Sequence, residues 1–292
     1  MLNRRLNRIS GLVLDFSLYG ALVVFSLLMI LPFAYVLGNS LLSNAEYLEP
    51  GLKFFPTKGL SFDSYKTIFS TNTIYRAYGN TLYLVFFGTI LSIFMTSVAS
   101  FALSRKQMVG ARGLTFFYVF TMLVQGGTIP SYILIRSLGL MNSLWAMILP
   151  VTINTFFLII LKNFFASIPE SLEESAYIDG ANELYILFRI FIPLSTPALA
   201  TITLFYAVGY WNSFFLGVLY LTDKNKWPLQ LVLRDILLYA DTSDVGGSSY
   251  AESMGVTIKM ATVIVAVIPI MCIYPFLQKY FSKGVLLGAV KE

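Results

Sequence analysis

Glu173, Glu174, Asp179 and Glu183 crowd into one stretch, EESAYIDGANELYILFRIFIPLSTP (173–197), where they face a single arginine, Arg189. The chain has no histidine, so the commonest general base and the usual zinc ligand are missing. Its one cysteine, Cys272, lies in VIPIMCIYP, a context that reads as a small buried hydrophobe, and one thiol cannot make a disulfide framework. Neither a G-x-x-x-x-G-K-[ST] phosphate loop, nor H-E-x-x-H, nor G-x-S-x-G occurs. No metal site and no catalytic constellation follow from these residues. Two readings of the acidic stretch remain: charge offered to a basic partner, or an ordinary solvated amphipathic loop.

The elements that must carry it are apolar. Of 292 residues 57% are hydrophobic, 16% aromatic and only 12% charged, against roughly 25% charged in a soluble domain. Uninterrupted apolar runs of about 20 residues predict a polytopic helical membrane protein. Six spans are expected, near 14–37, 78–103, 113–135, 143–165, 198–221 and 254–280, in one domain covering 1–292. The basic amino terminus precedes an apolar run too long for a signal-peptide core, so the first span is read as uncleaved. Arg4, Arg5, Arg8, Arg105, Lys106, Arg112, Lys279 and Lys283 all fall on one side of this layout. The positive-inside rule makes that side cytoplasmic, with both termini and the 166–197 loop inside and the 38–77 and 222–253 connections outside. The net charge of +5 is explained by these flanks, and no basic stripe with exposed aromatics suggests nucleic acid. Gln125, Gly126, Gly127 and Pro130 interrupt the third run, either as a packing kink or beside a watery cavity. Pro150, Pro269 and Pro275 are expected to bend their helices.

Within the acidic loop, Ser167 is placed to cap a helix that has Pro169 in its first turn, with Glu170, Glu173 and Glu174 near its positive end. Gly180 is the expected stop, and Asn182 caps a second helix that Pro193 and Pro197 terminate. Ser175 and Ala176 are small enough for a neighbour to approach. Glu174, Tyr177 and Ile178 lie within one turn and can project together, as suits a helix seated in a groove of another protein.

This segment resembles the loop of permease subunits of binding-protein-dependent ABC importers: Glu-Ala-Ala, three residues, Gly, nine residues, Ile-x-Leu-Pro. Here it reads Glu174-Ser175-Ala176, Gly180, then Ile190-Phe191-Ile192-Pro193, both spacings intact, with Ser175 for the first alanine and Ile192 for leucine. Asp179-Gly180-Ala181, the PLSTP of 193–197 and the tail YFSKGVLLGAVKE are similar to the sugar-transporting branch. The resemblance implies the all-α type I importer permease fold and a coupling helix docked on an ATPase. Its residues would be Glu174, Ser175, Ala176, Tyr177, Ile178, Asp179, Gly180 and Ala181, with Glu174 paired to a basic ATPase residue. It further implies two ATPase subunits that bind the ATP and magnesium, no cofactor in this chain, a second and distinct permease, and an extracellular binding protein. The cargo would be an oligosaccharide or polysaccharide fragment, and the chain would lie in the cell membrane.

The acids of the last outer connection (Asp223, Asp235, Asp241, Asp244, Glu252) read as solvated loop charges or as contacts to a binding protein. Asp244, Gly246, Gly247 and Ser248 are the candidates for that contact. Asn154, Tyr206, Tyr210, Trp211 and Asn212 are candidates for the solute path, since aromatic faces beside amides suit sugars, though aromatics at helical spacing also simply pack. The competing function is a self-sufficient secondary transporter or channel. Ion-coupled members of that class often carry paired carboxylates at mid-membrane, whereas here Asp15 is the one acid within the six runs.

Overall fold

The computed structural model describes residues 2–51, 53–105, 107–239 and 255–289, with side chains within 14–238 and 255–272 of them. Helices follow one another in the order α1 (Leu2–Ser40), α2 (Asn44–Tyr47), α3 (Asp63–Ser70), α4 (Asn72–Ser104), α5 (Ala111–Leu123), α6 (Thr128–Ser137), α7 (Trp145–Ile148) and α8 (Thr155–Ala166). Then come α9 (Glu170–Ile178), α10 (Glu183–Ile186), a π-helical stretch (Leu187–Phe191), α11 (Ile192–Leu194), α12 (Thr196–Trp211), α13 (Phe215–Tyr220), α14 (Leu229–Tyr239) and α15 (Val256–Ala289). No strand occurs among the described residues. Two compact units divide the chain: Met1–Thr71 with Ile236–Val267, and Asn72–Asp235 with Ile268–Glu292.

In the second unit α4 is the central pillar, packed most extensively against α12 and α8. One face of α4 explains this. Gly88, Ser92, Thr96 and Ser100 recur every fourth residue, so they line one side of the helix, and all four are buried. Small residues at this spacing let membrane helices approach, and hydroxyls then bond across the seam. Ser92 shares a hydrogen bond with the Tyr210 hydroxyl (2.9 Å), Thr96 shares one with Tyr206 (2.8 Å), and Ser100 donates to the Leu158 carbonyl (3.0 Å). Gly88 gives the Tyr210 ring its seat: an ideal Cβ there would lie 2.6 Å from the ring. Leu84, Phe101, Leu161, Phe165, Leu187 and Phe191 fill the core around this seam.

Several runs that read as continuous spans are broken. The third divides into α5 and α6, bent by 114° across Val124–Gly127, which is a reversal rather than the packing kink one proline would cause. The fourth bends by 51° after Pro150, which sits in a 3-10 turn, as expected of that proline. The fifth is α12, ending at Trp211, followed after a short break by α13. Pro193 does not end the helix before it, contrary to expectation. The chain widens into the π-helical stretch, passes Pro193 and turns only at Ser195, by 88°. Widening fits the chemistry, because a proline ring presses on the carbonyl four residues back, here that of Arg189. α15 runs through Pro269 and Pro275 without interruption. Cys272 on it is exposed, not buried as its apolar sequence context suggested. Among the described residues α1 (from Leu14) and α4 are long and apolar enough to cross a membrane, and each of the three bent pairs adds one more if counted as a span.

In the first unit, α1 from Leu14 to Ser40 has mean hydropathy 2.4, and none of its most apolar window is buried within the chain. Such a surface requires lipid as its solvent. The connection that follows is a built structure. Glu46, 2% exposed, accepts from the Thr57 hydroxyl (2.7 Å), the Thr57 N–H (2.7 Å) and the Lys58 N–H (3.2 Å). Asn39 donates to the Lys53 carbonyl (3.1 Å), and the Ser61 N–H reaches the Leu41 carbonyl (2.8 Å). The Thr57 hydroxyl, foremost among these donors, holds the Glu46 carboxyl below its ordinary 4.5. A depressed folded value means the tie contributes fully above 4.5 and is lost as pH falls through the lowered value. Hydrogen exchange at the Thr57 and Lys58 amides, corrected for intrinsic rate, should accelerate on that acid side. In Glu46→Gln the amides should exchange fast at every pH, with the acid step gone.

Candidate functional site

α9 carries the acidic turn. Its helix begins after Pro169, whose extended backbone (φ −58°, ψ 131°) makes it the N-cap residue, and Glu170 and Glu173 fill the first turn. Contrary to the expectation from the sequence, Ser167 does not cap it. Its hydroxyl bonds back to the Phe164 carbonyl (2.7 Å) and so closes the end of α8, two residues too early to reach α9. The carboxyl-terminal end behaves as expected. Gly180 has φ +81°, its N–H reaches the Tyr177 carbonyl (2.9 Å), and the Ala181 N–H reaches the Ala176 carbonyl (2.9 Å). That pair of bonds satisfies carbonyls the helix would otherwise leave bare. Asn182 then caps α10, its side-chain oxygen accepting from the Tyr185 N–H (2.8 Å).

The faces of α9 divide sharply. Ala176, 8% exposed, is its one buried side chain and packs into the unit's own core, so the close approach it permits is to this chain. Tyr177 and Ile178 are 41% and 86% exposed, and Glu174 beside them is exposed and makes no ion pair with a described residue. Ser175, also exposed, donates to the Ser171 carbonyl (2.8 Å), and Asp179 ends the helix as its C-cap. Tyr177 and Ile178 thus expose apolar surface beside the carboxylates of Glu174 and Asp179, neither of which makes an ion pair with a described residue, an arrangement suited to a protein contact with a basic partner.

One partner of the acidic turn was not legible in the sequence. Arg105, which follows the end of α4, makes an ion pair with Glu173 and reaches Glu183 at 3.4 Å. Its guanidinium lies 4.2 Å from the Phe101 ring centre and 4.9 Å from that of Phe191. Arg105 reads in the sequence as a topology signal; its position directly after the hydroxyl-lined face of α4 is the clue to a second role. Tyr177 donates to Glu183, and that bond pushes the phenol above its ordinary value and keeps its proton in place. A groove of about 810 Å³ opens here, bordered by Arg105, Met108, Glu173, Glu174, Tyr177 and Glu183.

The five residues expected along a solute path are scattered in role. Tyr206 and Tyr210 are buried, and their hydroxyls bond to α4 as described; Tyr206 also accepts from the Asn154 N–H (2.9 Å). They bridge helices instead of presenting free hydroxyls to a cavity. The Asn154 side chain caps α8 through the Phe156 and Phe157 N–H groups (3.0 and 3.3 Å). Trp211 is buried with its ring against Tyr78 (6.2 Å between centres), whereas Asn212 is exposed. Asp235 is not a loose loop charge: it lies on α14 and pairs with Lys224 (3.7 Å). Asp223 accepts from the Asn225 N–H (2.9 Å). Asp244, Gly246, Gly247 and Ser248, with Asp241 and Glu252, lie outside the described residues.

A helical chain with lipid-suited helices and a short acidic helix is consistent with a membrane permease of an ATP-binding-cassette importer, and its relatives show that class. Residues 1–287 match the family described as binding-protein-dependent transport system inner membrane component, and the chain belongs to that family. It is 47% identical, over 95% of its length and 98% of the relative's, to the polygalacturonan/rhamnogalacturonan transport system permease protein YtcP of Bacillus subtilis (strain 168). It is 29% identical, over 95% of its length and 98% of the relative's, to the arabinooligosaccharides transport system permease protein AraQ of the same organism. Its fold matches the crystal structure of a bacterial ABC transporter involved in the import of the acidic polysaccharide alginate, with a TM-score of 0.86 and 30% identity over 93% of this chain and 98% of that one.

Proposed function

We propose that this chain is the membrane-spanning subunit of an importer that takes up a carbohydrate, an oligosaccharide or polysaccharide fragment, delivered by an extracellular binding protein. ATP and magnesium are held by two separate ATPase subunits, and a second, distinct permease completes the pathway. The chain crosses the cell membrane six times with both termini in the cytoplasm. α9 docks on an ATPase through Glu174, Tyr177 and Ile178. Asp244, Gly246, Gly247 and Ser248 are the candidates for contact with the binding protein, and Asn212 has the exposure a path residue needs. The observation that carries this reading is the surface of α9, whose apolar and acidic side chains point away from a helix anchored by Ala176 and stopped at Gly180. The printed substrates of the relatives support a carbohydrate cargo.

Uptake of labelled pectin fragments into proteoliposomes holding both permeases and the ATPases should need ATP and the binding protein. In the same vesicles Glu174→Lys should leave the permease inserted but cut uptake by at least about tenfold, the worth of a desolvated ion pair turned repulsive. Uphill uptake without any ATPase would overturn the reading in favour of a self-powered transporter.

A further inference from the structure

α9 is poorly anchored by apolar contact, with Ala176 as its one buried side chain. By covalent connection it is tied to α8 and, through the Gly180 turn, to α10, but not to α4, which lies 65 residues earlier and holds the unit together. The groove between the end of α4 and α9–α10 widens that gap. Arg105 bridges it. Its side chain is 13% exposed and that of Glu173 17%, so the pair is shielded from screening by water. The guanidinium fork reaches carboxylates on both sides of the glycine turn, Glu173 on α9 and Glu183 on α10, and lies over the rings of Phe101 of α4 and Phe191 of the π-helical stretch. Its Nε is buried without a hydrogen-bond partner, so the bonds of the head among the described residues all go to the two carboxylates.

We infer that Arg105 is a positioning residue for energy coupling: it ties α9 and α10 to α4, so that a force applied to α9 moves the pillar of the permease and not the turn alone. This rests on the proposed function. A planar fork suits the role, because it holds two carboxylates at a fixed separation, where a lysine ammonium would hold one at a time. Opening or closing the α9–α10 turn must change those distances, and the change is delivered to α4 directly.

The test uses the complete importer in proteoliposomes, read as cargo transported per ATP hydrolysed. Arg105→Ala should lower that ratio by about fivefold or more, with hydrolysis continuing. Arg105→Lys, which keeps the charge but can hold only one carboxylate at a time, should fall between Arg105→Ala and the wild type. A merely structural arginine would reduce the amount of assembled complex and leave the ratio alone. If Arg105→Ala fails to assemble, Glu173→Gln removes one charge at nearly constant volume and is read the same way. A wild-type ratio in Arg105→Ala, or in Glu173→Gln, overturns the inference. The wild-type control separates the two claims: an unmodified chain that ATP does not drive would overturn the proposed function itself, whereas a coupled wild type with unaffected variants removes only the role of Arg105.

Discussion

Gly180→Val should cut ATP-driven uptake by about 5- to 30-fold while the protein remains in the membrane. The residue has φ +81°, the region where an L side chain crowds its own carbonyl. Nothing lies within 4 Å of an added Cβ, so the cost is purely in the backbone. That cost is roughly 1–2 kcal/mol for an ordinary residue and more for a β-branched one. The chain can escape it by flipping the turn, which breaks the Ala181-to-Ala176 and Gly180-to-Tyr177 bonds and re-aims Glu174, Tyr177 and Ile178. A penalty of that size lowers the population of the correct turn about 5- to 30-fold. Gly180→Asn should recover much of the activity, since asparagine tolerates this conformation best among the others. The measurement is uptake against membrane-inserted protein. Equal uptake by the Val and Asn variants would refute the backbone argument.

The second large effect is expected at Gly88, where Gly88→Leu should prevent assembly of the α4–α12 seam. Even a methyl group there meets the Tyr210 ring at 2.6 Å. The ring cannot swing away cheaply, because it is buried and its hydroxyl is bonded to Ser92. Overpacking costs roughly 1–3 kcal/mol, and the lost interhelical bond adds about 0.6–2 kcal/mol in a bilayer. Gly88→Ala should therefore lower the thermal midpoint in detergent, and Gly88→Leu should leave little folded protein. Tyr210→Ala should partly rescue Gly88→Ala by vacating the contested space. If the two changes simply add, the contact at Gly88 is not what limits the seam.

Most of α9 was legible because its determinants are local. A glycine that adopts positive φ, an asparagine whose side chain reaches the third N–H ahead, and a stretch of apolar residues long enough for lipid are properties of a few neighbouring residues. Gly180 and Asn182 accordingly sit where they were expected. Ser167 failed as a cap because two short helices compete for it and the end of α8 is nearer. The 114° reversal at Val124–Gly127 was underread, because hydropathy averages over the window and does not register direction. Tyr206 and Tyr210 were candidates for the solute path although aromatics at helical spacing more often pack, and the hydroxyls waiting on α4, 110 and 118 residues away, bring both into the helix seam.

By itself, then, the sequence determined that the chain is helical, that it lives in lipid and that it carries a stopped acidic helix with a recognisable spacing, since hydropathy and backbone preference act over one to six turns. Only the tertiary structure decided which face of α9 is buried, and that Arg105, 78 residues from Glu183, supplies the charge the acidic turn lacks. Electrostatic partners are chosen by proximity in space, and that proximity arises from the packing of α4 against α8 and α12 rather than from any neighbouring residue.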